Sequence, residues 1–581
     1  MVCVILAIVR VRQGYGWVDA VVSALTLAVA ALPEEFPLVF TFFLGVGVYR
    51  LAQRQALVRR AVCVENIGRV SCICSDKTGT ITEGRLRLTH LVPADGLEEA
   101  RLLELAAIAS RRSDDPLDTT IQQAAASGGV VAAVEDIERM PFTEDTRRET
   151  AIVRQARPHG SSVFAASKGS AEVILNMSRL GAAERAGWET RAATFATEGH
   201  KVIACAWQPL DAERWAGGEP QQGYRFAGLL CFEDPVRAGV ASAIAVCRQA
   251  GIHTIMVTGD HPLTARAVAR EIGLGGTTPE VITAAEMERR LTDTGSGNLD
   301  AVHVIARAVP AQKLRLVQAL QRRGHIVAVT GDGVNDVPAL QAADVGIAMG
   351  ERGTRSAREV ASIVLLDDNF RTIVRAIAEG RQLFRNLQLS FAYLLMIHIP
   401  LVITAALIPL AGYPVLYMPI HIVWLELIIH PTALLVFQDL PSSEELAPAL
   451  RGRTARFFSN ADWFRIVLVG AALTLFVAGG YERSLGAGRN VEHARAMALA
   501  VLTATSAMLT ATLSRLRTWT ARGIAVATVG LSACLIQIPA ASRLLHVEPL
   551  HIDDWGLAVA ATALIGLPVL LRVRHADRDR A

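Results

Sequence analysis

Long apolar stretches alternate with a long charged one along the chain, and this pattern divides it into a membrane part and a water-soluble part. A helix needs about 20 consecutive apolar residues to cross a bilayer. Seven such spans are predicted, at residues 17–48, 388–411, 416–437, 463–482, 493–514, 520–541 and 554–573. The segment between the first two spans, about 50–385, reads as alternating strands and helices with many charges and is predicted to be soluble.

Composition agrees with this division. The chain of 581 residues is 51% hydrophobic and 19% charged, which is too apolar for an ordinary soluble protein and too charged for a purely membrane-embedded one. The net charge of +3, without a polybasic tract, gives no support to a nucleic-acid partner. The 8 cysteines show no metal-ligand spacing.

Arginines set the predicted orientation. They cluster in alternate loops, as at Arg50, Arg381 and Arg515, and arginine-rich loops face the cytosol. We therefore expect an integral membrane protein, in contact with the lipid bilayer, in a bacterial cell membrane and with the soluble segment on the cytosolic side.

The first span contains two adjacent glutamates between prolines, in "ALPEEFPL". Pro33 and Pro37 remove backbone donors and are expected to unwind about one helical turn. A carboxylate in hydrocarbon indicates a functional site, and freed carbonyls beside Glu34 would suit a hard cation. Glu35 either faces this site or pairs elsewhere.

Further cation ligands are expected from the next two spans. In "HIVWLELIIHPTALL", Glu426 and His430 are four residues apart and share a helix face. A neutral imidazole is a poor ligand for Ca²⁺ and a reasonable one for Mn²⁺ or another transition metal. His398, in the preceding span, is interpreted as a satisfied histidine rather than as a ligand.

Acidic, glycine-rich turns follow three short apolar strands of the soluble part. They are "SDKTGTIT" at Asp76, "TGDHPLTA" at Asp260, and "TGDGVNDVPAL" at Asp332. Ligands of α/β proteins bind at such strand ends. Between the last two turns, "RAVPAQKLRLV" begins a helix that carries Lys313. This combination predicts a phosphoryl-transfer site.

The residue types assign roles within that site. Asp76 is predicted to be the nucleophile that forms an aspartyl-phosphate. Asp332, with Asp76, is predicted to hold Mg²⁺ through oxygen atoms. Lys313 and Thr258 are predicted to neutralise the transferred phosphoryl group.

These motifs, in this order, resemble the signature set of the P-type ATPases, which are ATP-driven cation pumps. "FEDPVR", "SKGSAEVIL" and "PFTEDTRRET" resemble further motifs of the family, and "PEEFP" resembles the PEGLP of its calcium-type members. His430 departs from the family, where an aspartate is usual. The resemblance implies a multi-domain α-helical membrane protein with an α/β cytosolic part. That part is expected to be a haloacid-dehalogenase-like, Rossmannoid phosphorylation domain with an inserted α+β nucleotide-binding domain.

The complete set of expected site residues falls into four groups. The catalytic residues are Asp76, Lys77, Thr78, Thr258, Gly259, Asp260 and Lys313. The Mg²⁺-binding residues are Asp76, Thr78, Asp332, Asn335 and Asp336. The ATP-binding residues are Phe142, Lys168, Gly169, Lys201, Asp234 and Arg237. The transported cation is expected at Glu34, Glu426 and His430.

The expected domain order follows from the same motifs. It is a partial third transmembrane helix (1–12), a PEEFP helix with its cytosolic stalk (13–61), the first part of the phosphorylation domain (62–88), the nucleotide-binding domain (89–228), the second part of the phosphorylation domain (229–370), and six C-terminal transmembrane helices (371–581).

One family motif does not occur in the sequence. The resemblance implies an actuator domain with a TGE loop, and no TGE occurs here. Three explanations stay open: a start assigned too late, a pump split over two chains with a separate chain supplying the actuator domain, or a decayed remnant. Two other functions also stay open, namely a membrane-anchored phosphatase of the haloacid-dehalogenase type and an inactive or regulatory subunit.

Overall fold

A computed structural model describes residues 1–32, 34–110, 115–130, 134–143, 145–157, 160–211, 217–293, 299–441, 446 and 457–578. The chain forms two compact units. A membrane unit comprises Met1–Arg50, Ala378–Glu444 and Thr454–Ala581, and an α/β unit comprises Leu51–Ile377 and Glu445–Arg453. This division confirms the expected combination of a helical membrane part with an α/β part.

The membrane unit is helical. Its helices are Val2–Arg12, Trp17–Ala30, Glu35–Gln53, Phe370–Leu410, Pro419–Pro431 with a π-helical continuation Thr432–Val436, Asn460–Gly486, Val491–Ser514, Trp519–Gln537, Pro539–Leu544 and Ile552–Arg578. Six segments among the described residues are long and apolar enough to cross a membrane. They coincide with the first six predicted spans. The last predicted span lies in the helix Ile552–Arg578, which is not one of the six, so its crossing of the membrane stays a prediction.

The first predicted span is interrupted next to its glutamates. The helix Trp17–Ala30 ends there, and a new helix begins at Glu35. Pro33 lies outside the described residues. Pro37 lies in the first turn of the new helix. Backbone N–H groups in the first turn have no acceptor within the helix, so a proline is tolerated there and Pro37 does not extend the break. The break therefore precedes Glu35 and leaves this residue at a helix N-terminus.

The segment predicted as a partial span, 1–12, is the helix Val2–Arg12. Its Arg10 is fully buried and forms an ion pair of 2.7 Å with Asp19 of the next helix. The guanidinium also donates a hydrogen bond of 2.9 Å to the carbonyl oxygen of Tyr413. These contacts satisfy a charge that would otherwise be costly to bury, and they connect the first two helices to the loop after residue 410.

The α/β unit is built on an eight-stranded sheet. In spatial order its strands are Ala56–Val58, Ile363–Leu365, Val345–Met349, Val327–Gly331, Cys72–Asp76, His253–Val257, Val304–Ala306 and Val281–Thr283. All neighbours are parallel except the first pair. Central strands such as Val327–Gly331 are buried at every position, because helices cover both faces of a parallel sheet.

A second sheet of six antiparallel strands is inserted in the first. In spatial order its strands are Arg87–Pro93, Arg225–Glu233, Lys201–Leu210, Gly160–Ser170, Arg148–Arg157 and Val134–Met140. The boundaries predicted at 88/89 and 228/229 lie inside the first two of these strands, which pair with each other. The chain therefore enters and leaves the second sheet through two strands that pair with each other. The composition of the sequence did not indicate the bounds of these strands.

Alternation along these strands builds two cores. Ala151 and Val153 face a cluster on one side of the sheet, while Ile152 faces another cluster on the opposite side. The helices of the α/β unit are Cys63–Arg69, Glu99–Ala109, Pro116–Ser127, Ala171–Met177, Ala182–Thr197, Val240–Gln249, Pro262–Glu271, Ala284–Asp293, Pro310–Arg322, Val337–Ala342 and Arg355–Val360.

Gly346 tests the packing of the eight-stranded sheet. A Cβ at Gly346 would lie 2.3 Å from the carbonyl oxygen of Leu340, a backbone atom that cannot move alone. We expect Gly346→Ala to lower the free energy of unfolding by about 1–3 kcal/mol, the usual cost of overpacking. Thermal unfolding of the purified protein in detergent measures this. The matched control is Gly187→Ala, in an exposed helical position with open space around it. An equal effect of both substitutions would contradict the packing argument.

Candidate active site

The acidic turns predicted from the sequence meet at one edge of the eight-stranded sheet. Asp76 ends the strand Cys72–Asp76, Asp332 follows the adjacent strand Val327–Gly331, and Thr258 follows the strand on the other side, His253–Val257. Because these three strands are neighbours and parallel, their carboxyl ends lie side by side. The topology therefore brings together residues that are distant in sequence.

Three carboxylates and one lysine form the centre of the site. Ligand oxygens of Asp76, Asp332 and Asp336 all lie within 4.8 Å of one another. Lys313 Nζ donates to Asp76 Oδ1 at 3.0 Å and to Asp336 Oδ1 at 2.7 Å. Asp336 also accepts hydrogen bonds from the backbone N–H of Asp332 and of Gly333. A hard set of oxygen donors of this kind fits Mg²⁺.

Burial and the nearby charges shift the pKa values of these side chains. Burial raises the pKa of Asp76 to about 6; the charge of Lys313 opposes this shift and that of Asp336 adds to it. Burial, followed by the charges of Asp76 and Asp336, raises the pKa of Asp332 to about 7. Burial disfavours the Lys313 cation, but the charges of Asp76 and Asp336 outweigh it and raise its pKa. One lysine thus compensates only part of the charge, and a cation would compensate the rest.

Gly79 is required for this arrangement. Its φ of +74° is one that residues with a side chain rarely adopt. A Cβ at this position would lie 2.5 Å from Asp332 Oδ2. The glycine of "DKTGT" therefore allows the turn after Asp76 to approach the second acidic turn.

Three of the predicted site residues do not line the central cleft but support its walls. Lys77 is buried and pairs with Asp260 Oδ2 at 2.8 Å; burial disfavours its charge, but Asp260 outweighs this and raises the pKa of Lys77. Asp234 accepts a hydrogen bond of 2.6 Å from Thr82 Oγ1. Arg237 donates to the carbonyl oxygens of Gly79 and Thr82. These contacts fix the turn after Asp76, and a direct contact of Asp234 or Arg237 with ATP stays a prediction.

The other predicted residues of the α/β unit line one cleft of about 810 Å³. This shared lining consists of Asp76, Thr78, Phe142, Lys168, Gly169, Lys201, Thr258, Gly259, Asp260, Lys313, Asp332, Asn335 and Asp336. The six-stranded sheet and its helices contribute one wall and the edge of the eight-stranded sheet contributes the other. The cleft is therefore large enough for a ligand that reaches from Phe142 to Asp76.

We call the wall of the cleft formed by the six-stranded sheet and its helices the far wall. Some of its side chains are free to bind a ligand, and others already have partners. Phe142 is 51% exposed, so its ring can stack on a planar group. Lys168 is buried and pairs with Asp118 at 2.7 Å and with Glu149 at 2.8 Å. A Cβ at Gly169 would lie 2.4 Å from the carbonyl oxygen of Arg147. Lys168 and Gly169 are therefore held by close contacts within this wall, and they also line the space open to a ligand.

A cluster at the cleft was not identified from the sequence. Arg307 donates to both carboxylate oxygens of Glu172, at 2.8 and 3.0 Å, and His261 Nε2 lies 3.3 Å from the same group. The hydrogen bond with His261 and the charge of Arg307 outweigh partial burial and lower the pKa of Glu172 to about 2. The cluster joins the two walls. A signal was present next to known motifs, since His261 follows "TGD" and Arg307 precedes the helix of Lys313.

The residues predicted to bind the transported cation lie in the membrane unit. Glu34 is exposed, and Glu426 and His430 are partly buried. Glu426 is within electrostatic range of Glu34 and of His430. Among the described residues their ligand atoms do not all lie within 4.8 Å of one another. Binding of a cation by these three residues stays a prediction.

Comparison with known proteins agrees with this geometry. Residues 70–344 match a family of haloacid dehalogenase-like hydrolases, and residues 414–574 match the cation transporting ATPase C-terminus. The chain is 30% identical to calcium-transporting ATPase 1 of Bacillus cereus, over 96% of this chain and 69% of that protein. It is 31% identical to probable cation-transporting ATPase F of Mycobacterium bovis, over 96% of this chain and 69% of that protein.

Both similarities extend across the α/β unit and the membrane unit, and they include the acidic strand ends that form the cleft. This combination of a haloacid dehalogenase-like sheet with apolar spans is the one that the sequence motifs predicted. The chain belongs to the family of P-type cation-transporting ATPases.

Proposed function

We propose that this chain transfers the γ-phosphate of ATP to Asp76 and that the resulting aspartyl-phosphate drives a cation through the membrane unit. The observation that carries this proposal is the contact of Lys313 with both Asp76 and Asp336 at the sheet edge. In support of the proposal, Asp76, the lysine and two further carboxylates lie together at one end of a nucleotide-sized cleft.

The transfer step uses groups that are already in position. An oxygen of Asp76 attacks the γ-phosphorus, the bond to the bridging oxygen of the β-phosphate breaks, and ADP leaves with that electron pair. Lys313 Nζ, next to the attacking carboxylate, neutralises charge on the equatorial oxygens. Thr258 supports the phosphoryl group from the neighbouring strand end.

Asp76, Asp332 and Asp336 would hold Mg²⁺, with Thr78 and Asn335 at the rim of the same cleft. When bound, the ion supplies positive charge that offsets the charge of the phosphate oxygens. The three carboxylates create a local negative charge that a single lysine does not neutralise, and this charge would favour binding of the ion.

The far wall of the cleft would bind the adenosine part of ATP. Phe142 offers an open ring face to the adenine, and Lys201 offers a charge on the same wall. Lys168 keeps its two carboxylate partners and thereby fixes part of the far wall. Arg307 and Glu172 hold the two walls at a distance that a nucleotide can span.

The cation and the cellular setting complete the proposal. Glu34, Glu426 and His430 are proposed to contact the transported cation, and calcium, for which three similar proteins are named, is one candidate. The α/β unit is proposed to lie in the cytosol of a bacterium, where ATP is available. The expectation that a separate chain supplies an actuator domain stays a prediction.

Asp76→Asn tests the covalent step. We expect the wild-type chain, incubated with γ-phosphate-labelled ATP and Mg²⁺, to acquire an acid-stable label that hydroxylamine removes, because acyl phosphates react with this nucleophile. Asp76→Asn should lose the label completely, since an amide cannot form the bond. Asp95→Asn, at an exposed position of the same unit, is the matched control and should keep it. Labelling of Asp76→Asn, or no labelling of the wild type, would refute the proposal.

Phe142→Ala tests the nucleotide wall. Base–aromatic stacking contributes about 1–3 kcal/mol, so we expect ATP affinity to fall about tenfold or more, measured by calorimetric titration. Because the ring is half exposed, the free energy of unfolding should change little. Phe142→Tyr keeps a ring face and should bind ATP nearly as well as the wild type. Unchanged affinity in Phe142→Ala would place the adenine elsewhere.

A further inference from the structure

Glu35 is a fully buried carboxylate in the membrane unit with an incomplete set of partners. Its side chain is 0% exposed. Oε1 lies 3.0 Å from His398 Nε2, whereas Oε2 has no hydrogen-bond partner among the residues that the structure describes. An unsatisfied carboxylate oxygen in an apolar environment is costly. The oxygen is therefore positioned for a ligand that supplies positive charge.

The two histidines near Glu35 are held in the same tautomer. His398 Nδ1 lies 3.2 Å from the carbonyl oxygen of Leu394, and His430 Nδ1 lies 3.0 Å from that of Glu426. A carbonyl oxygen can only accept, so each Nδ1 carries a proton. Each ring thus turns Nε2 away from its own helix backbone. Metal-binding histidines in proteins are commonly fixed by this kind of Nδ1–H bond.

A second carboxylate and the second imidazole lie within electrostatic range of this pair. Glu426 interacts electrostatically with Glu35, His398 and His430, and Glu35 also interacts with His430. These four side chains come from three different helices, Glu35–Gln53, Phe370–Leu410 and Pro419–Pro431. Two carboxylate charges match the charge of one divalent cation, and two imidazoles supply nitrogen ligands.

We propose that Glu35, His398, Glu426 and His430 form a transport site for a divalent transition-metal ion of borderline softness, of the Co²⁺ and Zn²⁺ class, rather than for Ca²⁺. This inference rests on the proposed function, since it names the cargo of the proposed pump. Ca²⁺ takes six to eight oxygen ligands, whereas imidazole nitrogen favours transition metals. Two nitrogens and a buried carboxylate therefore select against Ca²⁺.

The site also reassigns the glutamate pair of "PEEFP". Glu34 is exposed, while Glu35 is buried and in contact with His398. Glu35 is therefore proposed as a buried ligand next to the exposed Glu34. Among the described residues, no three of these four ligand groups lie within 4.8 Å of one another, so the proposal requires Glu426 and His430 to move toward the Glu35–His398 pair when an ion binds.

Cobalt binding to the purified full chain in detergent tests the site. Excess Mg²⁺ occupies the Asp76, Asp332 and Asp336 centre, and Co²⁺ is titrated while its visible absorption reports nitrogen ligation. We expect one Co²⁺ per chain that Ca²⁺ does not displace at equal concentration. Glu35→Gln and His398→Gln should each weaken Co²⁺ binding by more than about tenfold, the cost of removing a group that ligates or orients a metal.

The matched control is Glu548→Gln, the same substitution on an exposed side chain of the membrane unit outside this site. It should change Co²⁺ affinity less than about twofold. Equal losses in Glu548→Gln and Glu35→Gln, or displacement of Co²⁺ by equimolar Ca²⁺, would overturn the proposal. The thermal unfolding temperature of each variant identifies loss of binding that is due to misfolding.

A change in selectivity provides a second measurement that does not depend on loss of binding. His430→Asp replaces a nitrogen ligand with oxygen, so the ratio of Co²⁺ to Ca²⁺ affinity should fall about tenfold. An unchanged ratio would show that His430 does not contact the ion. Labelling of Asp76 by ATP is measured on the same preparations. Labelling without selective Co²⁺ binding refutes this inference alone, and Co²⁺ binding without labelling refutes the proposed phosphoryl transfer.

Discussion

The repulsion among three carboxylates at one sheet edge is the constraint on which the α/β unit depends. Asp76, Asp332 and Asp336 lie within 4.8 Å of one another, and Lys313 bridges two of them. Such proximity is unfavourable without a compensating cation. The parallel strands, the glycine at 79 and the helix that carries Lys313 together hold the carboxylates in place. A metal ion at this position would reduce the repulsion among the carboxylates.

The membrane unit repeats this principle with different groups. Glu35 is buried with an unsatisfied oxygen, and its neighbours are imidazoles rather than lysines. A buried carboxylate costs less when a proton or a metal ion neutralises it. The two units thus share one device, a negative charge placed where only a cation completes it. They differ in the groups that surround the carboxylates, lysine in one unit and imidazole in the other.

Much of the fold could be predicted because its signals are local. The spans required only long apolar runs, and the acidic turns after strands indicated the sheet edge. The contacts that the sequence did not indicate depend on distant partners. Lys77 is next to Asp76 in the sequence, but its side chain pairs with Asp260, and its catalytic role stays a prediction. Glu172 lies within "SKGSAEVIL", but only folding brings it to Arg307. Contacts between elements far apart in sequence leave no periodicity to detect.

The sequence by itself predicted six membrane spans, the acidic turns and an interruption of the helix beside the glutamates, because each follows from hydropathy, proline chemistry or a short motif. Only the tertiary structure decided that Glu35 rather than Glu34 is buried, and that it meets His398. The two glutamates are adjacent and chemically identical, so no local property separates them. The direction of each side chain, and therefore its neighbours, depends on how three helices pack.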